Sequence, residues 1–389
     1  MSRLDDLIAE LCPDGVEYKP VGYVCDIQTG SQLNKDTLKD KGAYPVYNGG
    51  IYPSGYHDDY NTEANTIAIS QGGASAGFVN WVGVPFYAGA HCYTVKNNSQ
   101  KALSRYMYFF LKNKQNHIQD AKHGAGIPGL NSKVIKNLQF PLPPLPIQQE
   151  IVRILDKFTA LEAELEAELE ARNKQYEYYR DSLLDFDGQL DIPFKWATVA
   201  QVCNKVSSGG TPSTSIKDYY EGNIPWLRTQ EVDFSDIYDT EVKITKEGIE
   251  NSSATWIPAN CVIVAMYGAT AAKIAINKIP LTTNQACCNL QINKEKALFK
   301  YVFHWLASQY HELRAMGQGS QSNINAKTVK NFPIPLPPLP IQQEIVSILD
   351  RFDSLTDDIT QGLSAEIAAR RKQYEYYRNE LLTFKEKIS

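Results

Sequence analysis

The chain has 389 residues, 43% of them hydrophobic and 21% charged, with a formal charge of −5, enough for two or three domains with cores of their own. Seven cysteines without a Cys-x-x-Cys pair, and six histidines without ligand spacing, indicate neither a disulfide framework nor a zinc site. No apolar run is long enough to span a membrane and Met1–Leu11 lacks the cationic start of a signal peptide, so a cytoplasmic protein is expected.

Residues 1–140 read as a mixed α/β domain. Short β-rich stretches, Ile67–Ser70, Phe78–Trp81 and Cys92–Val95, alternate with Gly, Asn and Pro turns. An amphipathic helix near Ser104–Leu111 follows, and its Tyr106, Met107, Phe109, Phe110 and Leu111 are expected in the core. The next loop, Gly124–Asn131, spells G-x-G-x-x-G. A helix and not a strand leads into it, and Pro128 interrupts it, so it is read not as a dinucleotide site but as a turn that brings backbone N–H groups near an anion, or simply as a turn.

Residues 141–186 begin with Pro-Leu-Pro-Pro-Leu-Pro-Ile-Gln-Gln-Glu-Ile-Val, and the same twelve residues return at 335, a step of 194 from 141. Lys174-Gln-Tyr-Glu-Tyr-Tyr-Arg180 returns as Lys372–Arg378, a step of 198, so the second copy is four residues longer. A duplicated architecture follows. Pro146 suits a first helical turn, and no proline or glycine interrupts the 40 residues from Ile147 to Phe186. Apolar residues step by 4 and 3 through Ile147, Ile151, Ile154, Phe158, Leu161 and Leu165, then continue past Arg172 to Tyr176, Tyr179, Leu183 and Phe186. This is a helical seam with a stutter. Its middle repeats Leu161-Glu-Ala-Glu, a helix-forming unit that reads either as a solvated acidic face or as a spacer able to gain or lose one turn.

Residues 187–334 form a second mixed α/β domain, with strands expected at Cys261–Ala265 and Lys273–Asn277 and a helix near Phe299–Ala307. A second Gly-rich loop, Gly317–Asn325, occupies the place of the first. Residues 335–389 are the second long helix, whose seam passes Ile345, Phe352, Ile359, Arg370 and Tyr374 and whose weak point is Gly362. The two domains are less alike than the helices. The second has Ser208-Gly-Gly-Thr-Pro212, Ile224-Pro-Trp226 and Asn284-Gln-Ala286, where the first has Thr29-Gly-Ser31, Tyr44-Pro-Val46 and Ala90-His-Cys92. One frame carrying two different readers is implied.

Charge is distributed unevenly. The first helix segment holds five basic and ten acidic residues, and the second holds seven and nine. Between 96 and 136 eight basic residues face only Asp120, and between 273 and 330 eight face only Glu295 and Glu312. Each domain thus has one cationic half, suited to phosphate. No phosphate-binding loop, no Asn/Asp-Pro-Pro-aromatic segment and no metal cluster marks the chain as an enzyme; Glu241-Val-Lys243 is an accidental likeness to a nuclease.

Together the duplicated proline-rich helix starts, the Lys-Gln-Tyr-Glu-Tyr-Tyr-Arg ends, the leucine repeats and the Gly-Gly-Thr-Pro and Ile-Pro-Trp segments resemble the specificity subunit of type I restriction-modification systems over essentially the whole length. The resemblance implies two target recognition domains, each reading half of a split double-stranded DNA sequence, held apart by two conserved antiparallel coiled-coil helices with an internal pseudo-two-fold repeat. It also implies two modification (methyltransferase) subunits carrying S-adenosylmethionine, restriction subunits using ATP and Mg, and no cofactor on this chain. Ile151, Phe158, Leu165, Tyr176, Ile345, Phe352, Ile359 and Tyr374 are the expected docking positions on the helices. A helix of 40 residues spans roughly 60 Å, which suits half-sites between one and two DNA turns apart.

Base reading requires amide, hydroxyl, guanidinium or aromatic groups on loops that enter a groove. The candidates are Tyr47, Asn48, Gln71, Lys122 and His123 in the first domain, and Thr211, Arg228, Gln230, Tyr267 and Gln318 in the second. A structural or adhesive protein, with two binding domains on a coiled-coil strut, is the rival reading. The cationic halves and reduced cysteines speak against it. A specificity chain for a combined restriction-methyltransferase enzyme outside type I shares the fold and differs in its partner.

Overall fold

Short strands form wherever apolar residues alternate with Gly, Asn and Pro turns, and long helices only where those turn residues run out. The computed structural model describes residues 3–97, 100–124, 128–186, 192–317 and 323–387, with backbone alone at Lys35 and 355–361. It divides into two compact units, Met1–Ala167 with Leu363–Ser389, and Glu168–Gly362.

In the first unit the order is α1 (Arg3–Leu11), β1 (Tyr18–Pro20), α2 (Val21–Val24), β2 (Cys25–Thr29), β3 (Tyr44–Tyr47), β4 (Gly55–His57), β5 (Thr66–Ser70), β6 (Val79–Val82), β7 (Tyr87–Ala88), β8 (Cys92–Asn97), α3 (Ser104–Asn113), α4 (Gln115–Asp120), α5 (Ser132–Lys136) and β9 (Gln139–Pro141). The first long helix, α6 (Leu145–Leu184), begins there. An antiparallel sheet of order β2-β8-β5-β6 packs on α3, and a smaller sheet, β4-β3-β7, pairs β3 with β7 in parallel.

The second unit repeats this plan. Its elements are β10 (Lys195–Thr198), β11 (Cys203–Ser208), β12 (Tyr220–Leu227), β13 (Ser235–Ile237), β14 (Lys243–Ile244), α7 (Lys246–Glu250), β15 (Trp256–Ile257), β16 (Val262–Ala265), β17 (Ile274–Asn277), β18 (Leu281–Thr283), β19 (Cys287–Ile292), α8 (Phe299–Ser308), α9 (Tyr310–Ala315), α10 (Ala326–Asn331), β20 (Pro333–Leu336) and α11 (Leu339–Leu381). Sheets of order β11-β19-β16-β17-β13 and β14-β12-β18-β15 match the two of the first unit, each with one strand added at an edge.

The short strands, the domain helices and the first long helix expected from the sequence lie within two residues of those observed, while the second long helix, expected over 335–389, spans Leu339–Leu381 because a proline-rich strand precedes it; the aromatic faces of α3 and α8 are core, with Tyr106, Phe109, Tyr301 and Leu306 fully buried. Burial also pushes the Cys25, Cys203 and Cys288 thiols up to about 12, so they stay protonated and behave as small core hydrophobes.

The twelve-residue identity has a physical reason. Gln148 is fully buried at the start of α6. Its Oε1 accepts from the Leu103 N–H at 2.9 Å, and its Nε2 donates to the carbonyls of Lys101 at 2.7 Å and Pro143 at 2.8 Å. Gln342 does the same at the start of α11, accepting from Leu298 at 3.0 Å and donating to Lys296 at 3.3 Å and Pro337 at 2.8 Å. In both units one glutamine clamps the long helix to the loop before the domain's main helix.

Within each unit the segments of the two long helices pack on each other, antiparallel in the first. In the first unit Phe158 of α6 packs on Tyr374 and Tyr377 of α11, at 6.3 and 5.5 Å between ring centroids, while Arg371 pairs with Glu162 and Glu166 further along. In the second unit Tyr179 stacks on Phe352 at 5.3 Å and 12°. Among the described residues the seam departs from expectation at Leu161, which is 45% exposed, and at two arginines. Arg172, exposed, and Arg370, half-buried, lie outside it, paired one turn back with Glu168 at 2.8 Å and Glu366 at 3.2 Å, because a guanidinium keeps its hydration where a neighbouring carboxylate suffices.

Candidate nucleic-acid interface

Hydrogen bonds tie the loops following β3, β5 and β7, together with the loop before α5, into one cluster in the first unit. Gly89 N–H donates to Tyr47 O at 2.8 Å, Gln71 N–H to His91 O at 2.8 Å, Leu130 N–H to Gln71 O at 2.8 Å and Gly73 N–H to Pro128 O at 2.8 Å. The second unit has the same bonds on the equivalent residues: Asn284 to Leu227 at 2.9 Å, Met266 to Ala286 at 2.8 Å and Ile324 to Met266 at 2.9 Å. Inside the β5–β6 and β16–β17 loops the match is bond for bond. Ala76 donates to Gly73 and Gly77 to Ser70, at 3.1 and 2.8 Å, and Ala271 donates to Gly268 and Ala272 to Ala265 at the same distances.

The glycines shared by the two domains follow from this crossing of loops. A Cβ on Gly30 would lie 2.3 Å from the carbonyl oxygens of Ala88 and Gly89, and one on Gly209 2.0 Å from that of Thr283. Gly77, at φ +89°, is replaced in the second unit by Ala272 at φ +69°, a left-handed conformation costing an alanine roughly 1–2 kcal/mol. The frame is kept even where its residue is not.

On this frame the side chains differ. In the first unit Tyr47 is half-buried, edge-on to Phe86 at 5.6 Å, and burial raises its phenol pKa. Asn48 accepts from the His91 N–H at 3.0 Å. Gln71 and His123 line a cavity of about 430 Å³ with His91, Tyr93 and Asn131, and Lys122 reaches the Ala74 carbonyl at 3.5 Å. The five candidates of the first domain therefore converge on one loop cluster.

In the second unit the Thr211 hydroxyl donates to Gln285 Oε1. Arg228 occupies the position equivalent to Asn48, and Gln230 lies on the short turn Thr229–Glu231 that follows. Tyr267 is exposed on the β16–β17 loop, which Thr270 Oγ1 ties to the Thr229 carbonyl at 2.8 Å. Gln318 lies outside the described residues; beside that segment Asn323 Oδ1 accepts from the Gly268 N–H at 3.1 Å. Sequence reasoning missed His91, Gln285, Asn323, Glu231 and Glu241. The first two sit in the segments Ala90-His-Cys92 and Asn284-Gln-Ala286, which the bonds show to be one residue out of register: Gly89-Ala-His91 is the counterpart of Asn284-Gln-Ala286.

The cationic halves are less free than local counting implied. Arg105 pairs with Asp156 at 2.7 Å and lies over Trp81, Tyr108 and Phe109; Lys300 pairs with Asp350 at 2.6 Å, Lys273 with Asp233 at 2.6 Å and Lys278 with Asp236 at 3.1 Å. Acids distant in sequence are brought in by the fold. Near one of these pairs the ligand atoms of His304, Asp350 and Asp353 come within 4.8 Å of one another. The Lys300 ammonium already supplies the cation there.

Along the helices Ile151 and Ile345 are buried in their own unit's core. Phe158, Phe352 and Tyr374 are engaged in the ring contacts between α6 and α11, and burial pushes the Tyr374 phenol up to about 12. Tyr176 lies beneath Arg180 at 5.9 Å, Leu165 is half-buried, and the Ile359 side chain lies outside those described. The residues left open are others of the duplicated motif. Tyr178 and Tyr376 are 69% and 62% exposed, each edge-on to the next tyrosine at 5.6 and 5.4 Å.

Residues 13–171 and 193–369 match the family model described as type I restriction modification DNA specificity domain. The chain is 35% identical over 411 residues to the specificity subunit of the Escherichia coli type I restriction enzyme EcoR124I/EcoR124II, covering 99% of this chain and 97% of that one. It is 30% identical to a putative type I restriction enzyme specificity subunit of Haemophilus influenzae, covering 95% and 96%. Its fold is similar to the crystal structure of the S subunit of a type I restriction-modification system from M. genitalium, with a TM-score of 0.59 at 18% identity, covering 95% and 96%. A chain from a study of complex assembly in the type I system aligns with a TM-score of 0.61 at 16% identity, covering 96% and 98%.

Proposed function

The chain belongs to the type I restriction-modification DNA specificity family, and from that premise we propose that each of its two loop clusters reads one half of a bipartite DNA target. The observation that carries this reading is the loop frame built twice, with matching backbone bonds and different side chains at equivalent positions, Asn48 against Arg228 and Gly72 against Tyr267. Groove reading needs such a rigid frame with interchangeable donors and acceptors.

The chain acts without chemistry of its own. Two modification subunits supply S-adenosylmethionine and transfer the methyl group, and restriction subunits, where they join, use ATP and Mg. Duplication of Lys174–Arg180 as Lys372–Arg378 supports two identical partners. Tyr179 and Tyr377 stack on Phe352 and Phe158 of the opposite helix, whereas the ring contacts of Tyr178 and Tyr376 are with the next tyrosine of their own helix, so these two identities are not explained by helix pairing. Tyr178 and Tyr376 are the surface anchors of that docking, since exposed aromatics are enriched where partners bind. No described helix is long and apolar enough to cross a membrane.

Co-expression with the modification subunit and mapping of methylated bases tests the reading. A split motif methylated once on each strand across an unread gap is expected. A complex that forms and methylates without a split motif would overturn it. Replacing both Tyr178 and Tyr376 by Ala is expected to weaken the complex while leaving the chain folded.

A further inference from the structure

We propose that Arg228 and Glu241 together read one G·C base pair in the half-site bound by the second domain, with Glu231 as the residue that positions them. This rests on the DNA-reading function proposed above and assigns it a base pair.

The Arg228 side chain has two differently treated edges. Its Nε is buried without a hydrogen-bond partner and faces Glu231 Oε1 at 3.6 Å. Its outer nitrogens are held by surface side chains only. Nη2 donates to Glu241, whose side chain is 71% exposed. In the amide orientation that satisfies both groups, Gln230 accepts from Nη2 at 2.9 Å and Nη1 at 3.3 Å. A groove can replace such partners at little cost, because both are solvated chains on loops.

Glu231 fixes the backbones of both readers. Its Oε1 accepts from the Arg228 N–H at 3.3 Å and its Oε2 from the Glu241 N–H at 2.8 Å. The spacing between the cationic and the anionic reader is therefore set by one carboxylate. Guanine presents O6 and N7 as a pair of acceptors to the major groove, matching the guanidinium fork, while its cytosine partner presents the N4 amino group as a donor, matching a carboxylate. The first unit does not share the device. Asn48 at the equivalent position turns its side chain oxygen to the His91 N–H, so the frame holds without Arg228.

The test compares methylated-base maps of the wild-type complex with those of Arg228→Ala, Arg228→Lys, Glu241→Ala and Glu231→Gln, each co-expressed with the modification subunit and a plasmid library of random sequence. A G·C pair in one half-site of the wild type is expected. Arg228→Ala should make that position degenerate, with discrimination falling tenfold to a hundredfold, and leave every other position unchanged. Arg228→Lys, which keeps the charge and loses the fork, should behave alike. Glu241→Ala should relax the same position less, and Glu231→Gln should relax it while leaving the half-site read by the first domain unchanged. A split motif that Arg228→Ala or Arg228→Lys leaves unaltered, or relaxes at another position, would sink this inference alone. A wild-type complex that yields no split motif would sink the function proposed above as well.

Discussion

Replacing Gln148 by Ala would show how much of the helix clamp is energetic. The substitution removes three hydrogen bonds, of 2.9, 2.7 and 2.8 Å, that the Leu103 N–H and the Lys101 and Pro143 carbonyls make with a side chain that is itself fully buried. A buried polar group stripped of its partner costs about 1–3 kcal/mol. With partial relaxation the three together are expected to destabilise the first unit by about 3–5 kcal/mol, a large part of the ~5–15 kcal/mol that holds a domain folded. At ~2–4 °C per kcal/mol for a unit of this size, its melting transition should fall by roughly 10 °C. Gln149 is the control: the next residue in the same turn, it is exposed, and its Ala variant should stay within about 0.5 kcal/mol of wild type. Calorimetry of the three chains is the assay. If Gln148→Ala melts with Gln149→Ala, the clamp contributes nothing and the sequence identity at the helix starts needs another cause.

Gly362 lies within α11 with open space where its Cβ would be, so Gly362→Ala should stabilise the helix by about 1 kcal/mol; a lowered denaturation midpoint would show that the glycine is needed for a bend. Burial alone would raise the Asp350 pKa, but bonds from His304 and Lys300 outweigh it and hold the carboxyl below its ordinary 3.8. Its stabilising effect is therefore complete above the unfolded value and lost as pH falls through the lower folded one. Asp350→Asn should lower stability at neutral pH by about 1 kcal/mol, given the partial exposure of the carboxyl, and flatten the loss below pH 3.8 in acid titrations followed by circular dichroism. Deleting Leu165–Glu168 shortens α6 by one turn, roughly 6 Å and 40°. Methylated-base maps should show unchanged half-sites and a gap shorter by one or two base pairs; altered half-sites would count against a spacer role.

The loop clusters show where sequence reasoning ran short. The first-domain candidates Tyr47, Asn48, Gln71, Lys122 and His123 are scattered between positions 47 and 123 and share in sequence only their side-chain chemistry and a place on loops. Their convergence depends on crossings such as Gly89 over Tyr47 and His91 over Gln71, which no local pattern encodes. The same limit affected charge. Arg105 has no acid near it in sequence, yet Asp156, 51 positions on, neutralises it.

By itself the sequence determined the duplication, the two long helices and the alternation of strands with turns, because periodicity and breaker residues are local properties of a chain. It also determined the family, through motifs that stand in unbroken runs. Only the tertiary structure decided that Gln148 and Gln342 are clamps and that Tyr178 and Tyr376, unlike Ile151 and Ile345, remain open to a partner. It also decided that Glu231 joins Arg228 to Glu241. Each of those roles depends on which groups from distant segments fill the space around a side chain, and that is settled when the sheets close over the core.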